Sequence, residues 1–111
     1  MNKSEIANTP EPPYYVVIFT SVRTDGDNGY SEMADKMLKL ASNQRGFLGS
    51  ESASNKLGIT VSYWKDLESI RNWKENPEHK EAQRKGRENW YNSFKTRIAK
   101  VECDYDFEKP E

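Results

Sequence analysis

The sequence predicts an α+β fold whose strands and helices follow the order β-α-β-β-α-β, with the second helix split in two. Apolar residues alternate with a period of two in four segments, and they recur at spacings of three and four in the segments between. The Asn-Pro pair at 76–77 marks the break within the second helical region. This order is typical of a ferredoxin-like sandwich, in which helices cover one face of an antiparallel sheet.

Residues 14–22 predict the first strand because they are almost all aromatic or β-branched. Tyr15, Val17 and Phe19 share one face, and the residues that alternate with them are apolar as well. A strand that is apolar on both faces must be covered on both. Helices are expected on one side only, so we expect a second copy of the chain to cover the other side and form a homodimer.

The next elements follow the same two periods. Residues 30–41 carry apolar side chains at helical spacing and predict the first helix, which should end near Gly46. Residues 47–54 and 57–64 are strand-like and are joined by the turn-prone residue Asn55. We therefore expect a hairpin after the first helix.

Two capping signals define the split helix. Asp66 can accept hydrogen bonds from the amides of the following turn and predicts a short helix there. Leu67, Ile70 and Trp73 should point inward from it. Asn76 and the proline after it predict the start of a long helix over residues 77–97.

The last strand is predicted over residues 98–107, where apolar and charged residues alternate, with one solvated face and a place at or near the sheet edge. Cys103 falls on the apolar face and is predicted to be a small buried residue. Residues 1–13 contain three of the five prolines and predict a flexible segment, and residues 108–111 form a polar tail. The domain is therefore expected to span residues 14–107.

Composition narrows the class of protein. A chain of 111 residues suits one domain, and 34% hydrophobic against 32% charged residues indicates a soluble protein. A net charge of −1 gives no electrostatic reason to expect nucleic acid or a membrane surface as a partner. The single cysteine excludes an internal disulfide, and no apolar leader segment is present, so we expect a cytoplasmic protein.

One face of the predicted long helix has an unusual composition. A helix that only seals a core would carry Leu, Ile and Val there, but this face mixes polar, aromatic and very small residues. We interpret it as the wall of a ligand pocket. Its candidate site residues are His79, Gln83, Gly86, Trp90, Phe94 and Arg97.

Each candidate has a second interpretation. His79 is the one imidazole and suits a general base near neutral pH, or it simply forms hydrogen bonds at the helix start. Trp73 and Trp90 would stack on a flat aromatic ligand, or fill the core. Gly86 leaves space for a ligand, or for close packing of the helix on the sheet. Arg97 would orient a carboxylate or phenolate, or interact with the helix dipole.

Four segments together carry a resemblance to a known family. They are GFLG at 46–49, GITVSYW at 58–64, the helix at 67–73 and Glu78-His79. In this order and spacing the chain resembles the antibiotic biosynthesis monooxygenase superfamily over residues 14–107. The resemblance implies a dimeric α+β barrel with a cavity in each subunit between the sheet and the helices.

The resemblance also implies a choice of activities. Some members are cofactor-independent enzymes that oxidise polycyclic aromatic substrates to quinones, and others bind and degrade haem. In the haem-degrading members, a Trp on the first part of the split helix is followed ten residues later by the iron-binding His. Trp73 matches that Trp, but Gln83 stands at the second position, and a carboxamide is a poor iron ligand beside imidazole. His79, one turn earlier, is then the remaining route to a haem iron.

Two functional hypotheses follow. The first is a cofactor-independent monooxygenase acting on a small quinol-like or anthrone-like aromatic, because the sequence has no phosphate-binding loop and no metal-ligand cluster. In it, His79 with Gln83 or Asn76 deprotonates or orients the substrate hydroxyl. The predicted binding residues are Trp73, Gly86, Trp90, Phe94, Trp64 and Arg97. The alternative is a dimeric binding or stress-related protein without turnover. A haem-binding or haem-degrading member ranks after both.

Overall fold

The computed structural model describes residues 6–110 and contains one four-stranded antiparallel sheet with helices on one face. The elements are β1 (Tyr14–Arg23), α1 (Tyr30–Ser42), β2 (Phe47–Ser54), β3 (Gly58–Trp64), α2 (Leu67–Lys74), α3 (Pro77–Lys85), a single π-helical turn (Gly86–Trp90) and β4 (Tyr91–Val101). The strand order is β2-β3-β1-β4. The predicted α+β ferredoxin-like fold is confirmed.

Both predicted caps of the split helix are present. The carboxylate of Asp66 accepts a hydrogen bond from the backbone N–H of Ser69 at 2.7 Å. The side-chain oxygen of Asn76 accepts from the backbone N–H groups of Glu78 and His79, at 2.9 and 3.2 Å. These caps satisfy amides that have no partner within their helix, so α2 ends and α3 begins at a defined corner.

The inward face predicted for α2 is only partly correct. Ile70 is buried, at 6% exposed, and Trp73 is half-buried. Leu67 is 48% exposed and does not point into the core. It lies in the first turn of α2, directly after the cap, where the helix emerges from the end of β3.

The predicted helix over residues 77–97 is wrong in its second half. The helical region ends at Trp90, and Tyr91 begins β4. The reason is that β4 pairs with the edge of β1 that β3 leaves uncovered. Ile98 pairs with Val17, so a strand that began at Ile98 would leave β1 beyond Val17 without a partner on that side. Starting at Tyr91 instead, β4 pairs with β1 as far as Arg23 and satisfies its backbone groups.

The predicted last strand is therefore displaced. It was expected over residues 98–107, but β4 ends at Val101, which pairs with Tyr14 at the start of β1. Beyond Val101, β1 offers no further residue to pair with. Cys103 consequently lies outside the sheet and is exposed, so its predicted burial is wrong. The edge position expected for this strand is confirmed.

The two faces of the sheet are covered differently. Val17 and Phe19 face the helices, so the alternating residues Val16 and Ile18 point to the opposite face. Part of that face is covered by the chain itself. The backbone N–H of Ala7 donates to the Glu51 carboxylate at 2.8 Å, and Tyr14 on this face is only 4% exposed. The homodimer expected to cover this face stays a prediction.

Within residues 6–110, no helix has both the length and the apolar composition needed to cross a membrane.

Candidate functional site

A cavity of about 710 Å³ lies between the sheet and the helices. Its volume falls within the range of roughly 300–1,000 Å³ that is usual for small-molecule sites. The wall is mostly apolar and aromatic, with a few polar groups. Its ring-bearing residues are Phe19, Tyr30, Phe47, Trp64, Trp73, His79, Trp90, Tyr91 and Phe94.

A stack of three rings forms one part of this wall. The imidazole of His79 lies flat on the indole of Trp73, with ring centroids 4.2 Å apart and an interplanar angle of 12°. Trp73 also stacks with Trp64, at 6.3 Å and 26°. Trp64 is 0% exposed and thus anchors the stack in the core. The corner between α2 and α3 places Trp73 and His79 side by side.

A hydrogen bond defines the tautomer of His79. Its Nδ1 atom lies 3.0 Å from the backbone carbonyl oxygen of Trp73. Because a carbonyl oxygen only accepts, Nδ1 must carry the proton and donate it, which leaves the lone pair on Nε2. The side-chain amide nitrogen of Gln83 approaches the same Nδ1 atom at 3.4 Å. Gln83 therefore lies one helical turn along the same wall.

Burial lowers the pKa of His79 below its ordinary value of 6.5, and the hydrogen bond to the Trp73 carbonyl partly opposes this effect. Burial acts in this direction because it disfavours the charged imidazolium. At neutral pH the ring is accordingly neutral. It combines a fixed orientation with an unprotonated Nε2 atom, which are the two properties a general base needs.

Three of the predicted site residues lie outside the cavity wall. Asn76 caps α3, and its side-chain oxygen accepts the N–H of His79. A Cβ atom on Gly86 would come within 2.8 Å of the Tyr91 ring, so Gly86 makes room for that ring, which favours the packing interpretation. Arg97 is exposed and pairs with Ile18, on the face away from the helices.

The other predicted residues are brought together in the wall. They are His79, Gln83, Trp64, Trp73, Trp90 and Phe94. Trp90 is 5% exposed, and its indole N–H donates to the carbonyl of Asn28 at 2.9 Å. Phe94 reaches the cavity from β4 and not from a helix.

Sequence reasoning missed a second aromatic cluster on the sheet side of the cavity. The rings of Phe19 and Tyr91 lie 5.3 Å apart, and Phe94 lies 5.2 Å from Phe19. Phe19 was predicted to share one face of β1 with Val17, and this shared face was a usable signal. Tyr91 was hidden because the predicted helix extended past it. Burial raises the pKa of Tyr91, so its phenol stays protonated.

Sequence reasoning also missed the cationic residues of the wall. They are Lys74, Arg87 and Lys95, although Lys95 pairs with Thr20, so its side chain belongs to the opposite face of the sheet. Arg87 and Lys95 fell within the predicted long helix, outside the face that was interpreted as a pocket wall. In the part of the chain that the structure describes, no three His, Cys, Asp or Glu side chains come together as a metal site.

Comparison with known proteins identifies the family. The model of the antibiotic biosynthesis monooxygenase family matches residues 13–85, which is more than half of the chain. The chain belongs to this family. The matched region runs from β1 to the end of α3 and includes the Trp73–His79 pair.

Individual relatives agree with this assignment. The chain is 50% identical over 99 residues to the uncharacterized protein YqjZ of Bacillus subtilis (strain 168), and the match covers 87% of each chain. The fold resembles that of SnoaB from Streptomyces nogalater, described as a cofactor-independent oxygenase, with a TM-score of 0.69, 10% identity, and 90% and 100% of the two chains covered. Protein SO0527 of Shewanella oneidensis gives a TM-score of 0.73 at 8% identity, covering 83% of this chain and 94% of that chain. At such identities the two structures show a shared fold.

Proposed function

We propose that the protein is a cofactor-independent monooxygenase that oxidises a small quinol-like or anthrone-like aromatic substrate in the cavity. One observation carries the proposal: His79 is held flat on Trp73 with Nδ1 bonded to a carbonyl oxygen, which leaves Nε2 free as a base. Family membership and a shared fold with a cofactor-independent oxygenase support the same reaction class.

The proposed substrate class rests on the wall of the cavity. The Trp64–Trp73–His79 stack and the Phe19–Tyr91–Phe94 cluster both line it. Aromatic rings supply large contact areas at low entropic cost and favour flat aromatic ligands. Trp73 already stacks with the imidazole and with another indole, so its main role in the proposal is to hold His79 in place.

The proposed reaction needs only substrate and dioxygen. Nε2 of His79 takes a proton from the acidic CH₂ or OH group of the substrate, and the resulting anion passes electrons to O₂ and forms a carbon–oxygen bond. The peroxide anion recovers the proton from His79, and loss of water leaves a carbonyl. One CH₂ group and one O₂ molecule thus become one C=O group and one H₂O. General base catalysis of this kind typically contributes about 10²–10⁴-fold to the rate.

Two polar side chains assist in this proposal. The carboxamide of Gln83 lies in the wall next to His79 and can hydrogen-bond to the substrate oxygen. Asn76 accepts the backbone N–H of His79 and is a positioning residue, because it is outside the wall. In this proposal Gly86 and Arg97 do not contact the substrate.

The test measures oxygen uptake and product formation with 1,8-dihydroxyanthrone and a panel of hydroquinones, after subtraction of the uptake in buffer. We expect uptake in the wild type, one ¹⁸O atom in the quinone when ¹⁸O₂ is used, and a loss of roughly 10²-fold or more in His79→Ala. The exposed neighbour Lys80→Ala is the matched control and should keep full activity.

The opposite results separate the alternatives. Unchanged uptake in His79→Ala would remove the proposed base. Stabilisation by the same aromatics with no product would support a binding protein without turnover. A Soret band on haem titration that weakens in His79→Ala would support a haem-binding member instead.

We also propose a homodimer formed through the sheet face that points away from the helices. The support is exposed apolar surface there, since Ile59 is 40% and Val22 is 38% exposed. Both residues alternate along their strands with residues that face the helices, so both point to the opposite face. Two sheets packed face to face would cover them. Light scattering at micromolar concentration should give the mass of a dimer, and a monomer mass would contradict the proposal.

A further inference from the structure

The charged residues that line the cavity all have the same sign. They are Lys74, Arg87 and Lys95, and of residues 6–110 no Asp or Glu lines it. Lys95 pairs with Thr20 on the face away from the helices, so Lys74 and Arg87 are the two that present their charge to the cavity. The chain as a whole has 18 acidic and 17 basic residues, so its composition does not produce such a bias by itself. The bias therefore belongs to this site.

These two cations come from different parts of the fold. Lys74 is the last residue of α2, and Arg87 lies in the π-helical turn. Both are exposed and mark the solvent-facing part of the wall, here called the mouth, whereas the inner wall is formed by buried or half-buried uncharged residues such as Trp64 and Gln83. The mouth is positive and the interior is neutral.

These charges are not neutralised within the described chain. Among residues 6–110 neither Lys74 nor Arg87 forms an ion pair. Arg84, one turn before Arg87, pairs with both Glu81 and Glu88 and so occupies the carboxylates nearest in sequence. The guanidinium of Arg87 instead lies 5.8 Å from the centre of the Phe94 ring, at the cavity wall.

An uncompensated positive mouth on an aromatic cavity selects for ligand charge. Opposite charges attract the ligand on approach and orient it, and like charges repel it. Arginine in particular matches the planar geometry of a carboxylate and can bind it through two parallel hydrogen bonds. A ligand that satisfies both regions has a flat apolar body and an anionic group at one end.

We propose that the cavity binds aromatic carboxylates, with the ring system inside and the carboxylate held at the mouth by Arg87 and Lys74. This deepens the proposed function, on which it rests for the choice of the cavity as the substrate site. It also moves the anion-binding role from Arg97, where the sequence suggested it, to two residues on the helix side of the sheet.

The experiment compares two fluorescent probes of nearly the same shape, anthracene-9-carboxylate and 9-anthracenemethanol, titrated against the full-length protein. In the wild type we expect the carboxylate to bind about tenfold or more tightly than the alcohol at low salt, as a charge-assisted hydrogen bond would give. Salt should reduce this ratio because it screens exposed charges.

Variants test whether the charged residues at the mouth cause this ratio of affinities. The double variant Lys74→Gln, Arg87→Gln should bring the ratio close to one while the affinity for the alcohol stays within about twofold. Because these side chains are exposed, the variant should keep its fold, which its thermal midpoint checks. Arg71→Gln and Lys80→Gln, exposed on α2 and α3 but outside the wall, are the matched controls and should keep the wild-type ratio.

Equal affinity for both probes in the wild type, or an unchanged ratio in the double variant, would overturn this inference. If oxygen uptake on neutral anthrones still depends on His79 in that case, the proposed function stands and only the anion preference fails. Binding of neither probe would overturn the inference and also remove the aromatic cavity on which the proposed function depends.

Discussion

The two faces of the sheet use the same strands for different purposes. Trp64 and Tyr63 are neighbours in β3, yet Trp64 joins the ring stack under the cavity, while Tyr63 points away from the helices and donates to the Glu51 carboxylate at 2.7 Å. On that second face Tyr14 likewise hydrogen-bonds to Asp104. Carboxylates there are engaged by the chain's own phenols, whereas among residues 6–110 no carboxylate lines the cavity. The difference teaches that one sheet can use the polar groups of one face in internal hydrogen bonds and leave those of the other face available to a ligand.

Ionisation separates the two faces as well. Burial, and then the hydrogen bond to Glu51, raises the pKa of Tyr63 to about 12. The hydrogen bond to Asp104 raises the pKa of Tyr14. Both phenols thus remain protonated donors at neutral pH, which suits a structural face. On the cavity side, burial lowers the pKa of His79 and so favours the neutral imidazole, which can act as a base.

The largest expected effect is on the cavity side. Trp64→Ala removes the one large side chain that is fully buried among residues 6–110. Its ring centroid lies 5.3 Å from that of Phe47, and it also stacks with Trp73. We expect the free energy of unfolding to fall by about 3–5 kcal/mol, measured by chemical denaturation. A loss below about 1 kcal/mol would mean that the stack is not part of the core.

The next effect is at the junction between α3 and β4. Gly86→Ala adds a Cβ atom 2.8 Å from the ring of Tyr91, which is itself held against Phe19. The crowding should cost about 1–3 kcal/mol and outweigh the helix propensity gained from alanine. Lys80→Ala on the exposed surface of α3 is the control, with a change within about 0.5 kcal/mol. A stabilised Gly86→Ala would contradict the close packing of Tyr91.

A smaller effect is expected on the opposite face. Tyr63→Phe removes the hydroxyl that donates to Glu51 and should lower the free energy of unfolding by about 1 kcal/mol. Oxygen uptake should be unchanged because this residue does not line the cavity. Reduced turnover at full stability would mean that the two faces are not separate in function.

The smallest effect is the pH dependence of stability. Because the folded pKa of His79 lies below 6.5, the unfolded chain binds the proton more readily, so this stability is present above pH 6.5 and is lost as the pH falls through the folded pKa. The wild type should therefore lose more unfolding free energy than His79→Gln between about pH 7 and 5, by less than about 1.4 kcal/mol per pH unit. Parallel pH profiles would show that His79 is not buried as a neutral ring.

The sequence predicted those features that depend on local chemistry. Asp66 and Asn76 were identified as caps because a cap needs only a side-chain oxygen next to free amides. The end of the last helix was missed because it depends on β1, about 70 residues earlier in the chain, whose edge requires a long partner strand. No pattern within residues 77–97 indicates that this stretch must pair with β1.

The missed end of the last helix affected the predicted site residues differently. Phe94 lines the cavity in either interpretation, because its position faces inward in a helix or in β4. Arg97 does not keep its place, since the strand period of two puts it on the far face, where it pairs with Ile18. The stacking of His79 on Trp73 was not predicted, because it depends on the corner between α2 and α3.

The central claim is that the helix side of the sheet is a ligand site and the opposite face is not. The most direct test is a heteronuclear NMR titration of the labelled protein with anthracene-9-carboxylate, which follows the indole N–H signals of the three tryptophans and the ring signals of His79. Saturable shifts of Trp64, Trp73 and His79, with the backbone amides of Ile18 and Val61 unmoved, are the result expected. Shifts confined to Ile18 and Val61 would contradict the account.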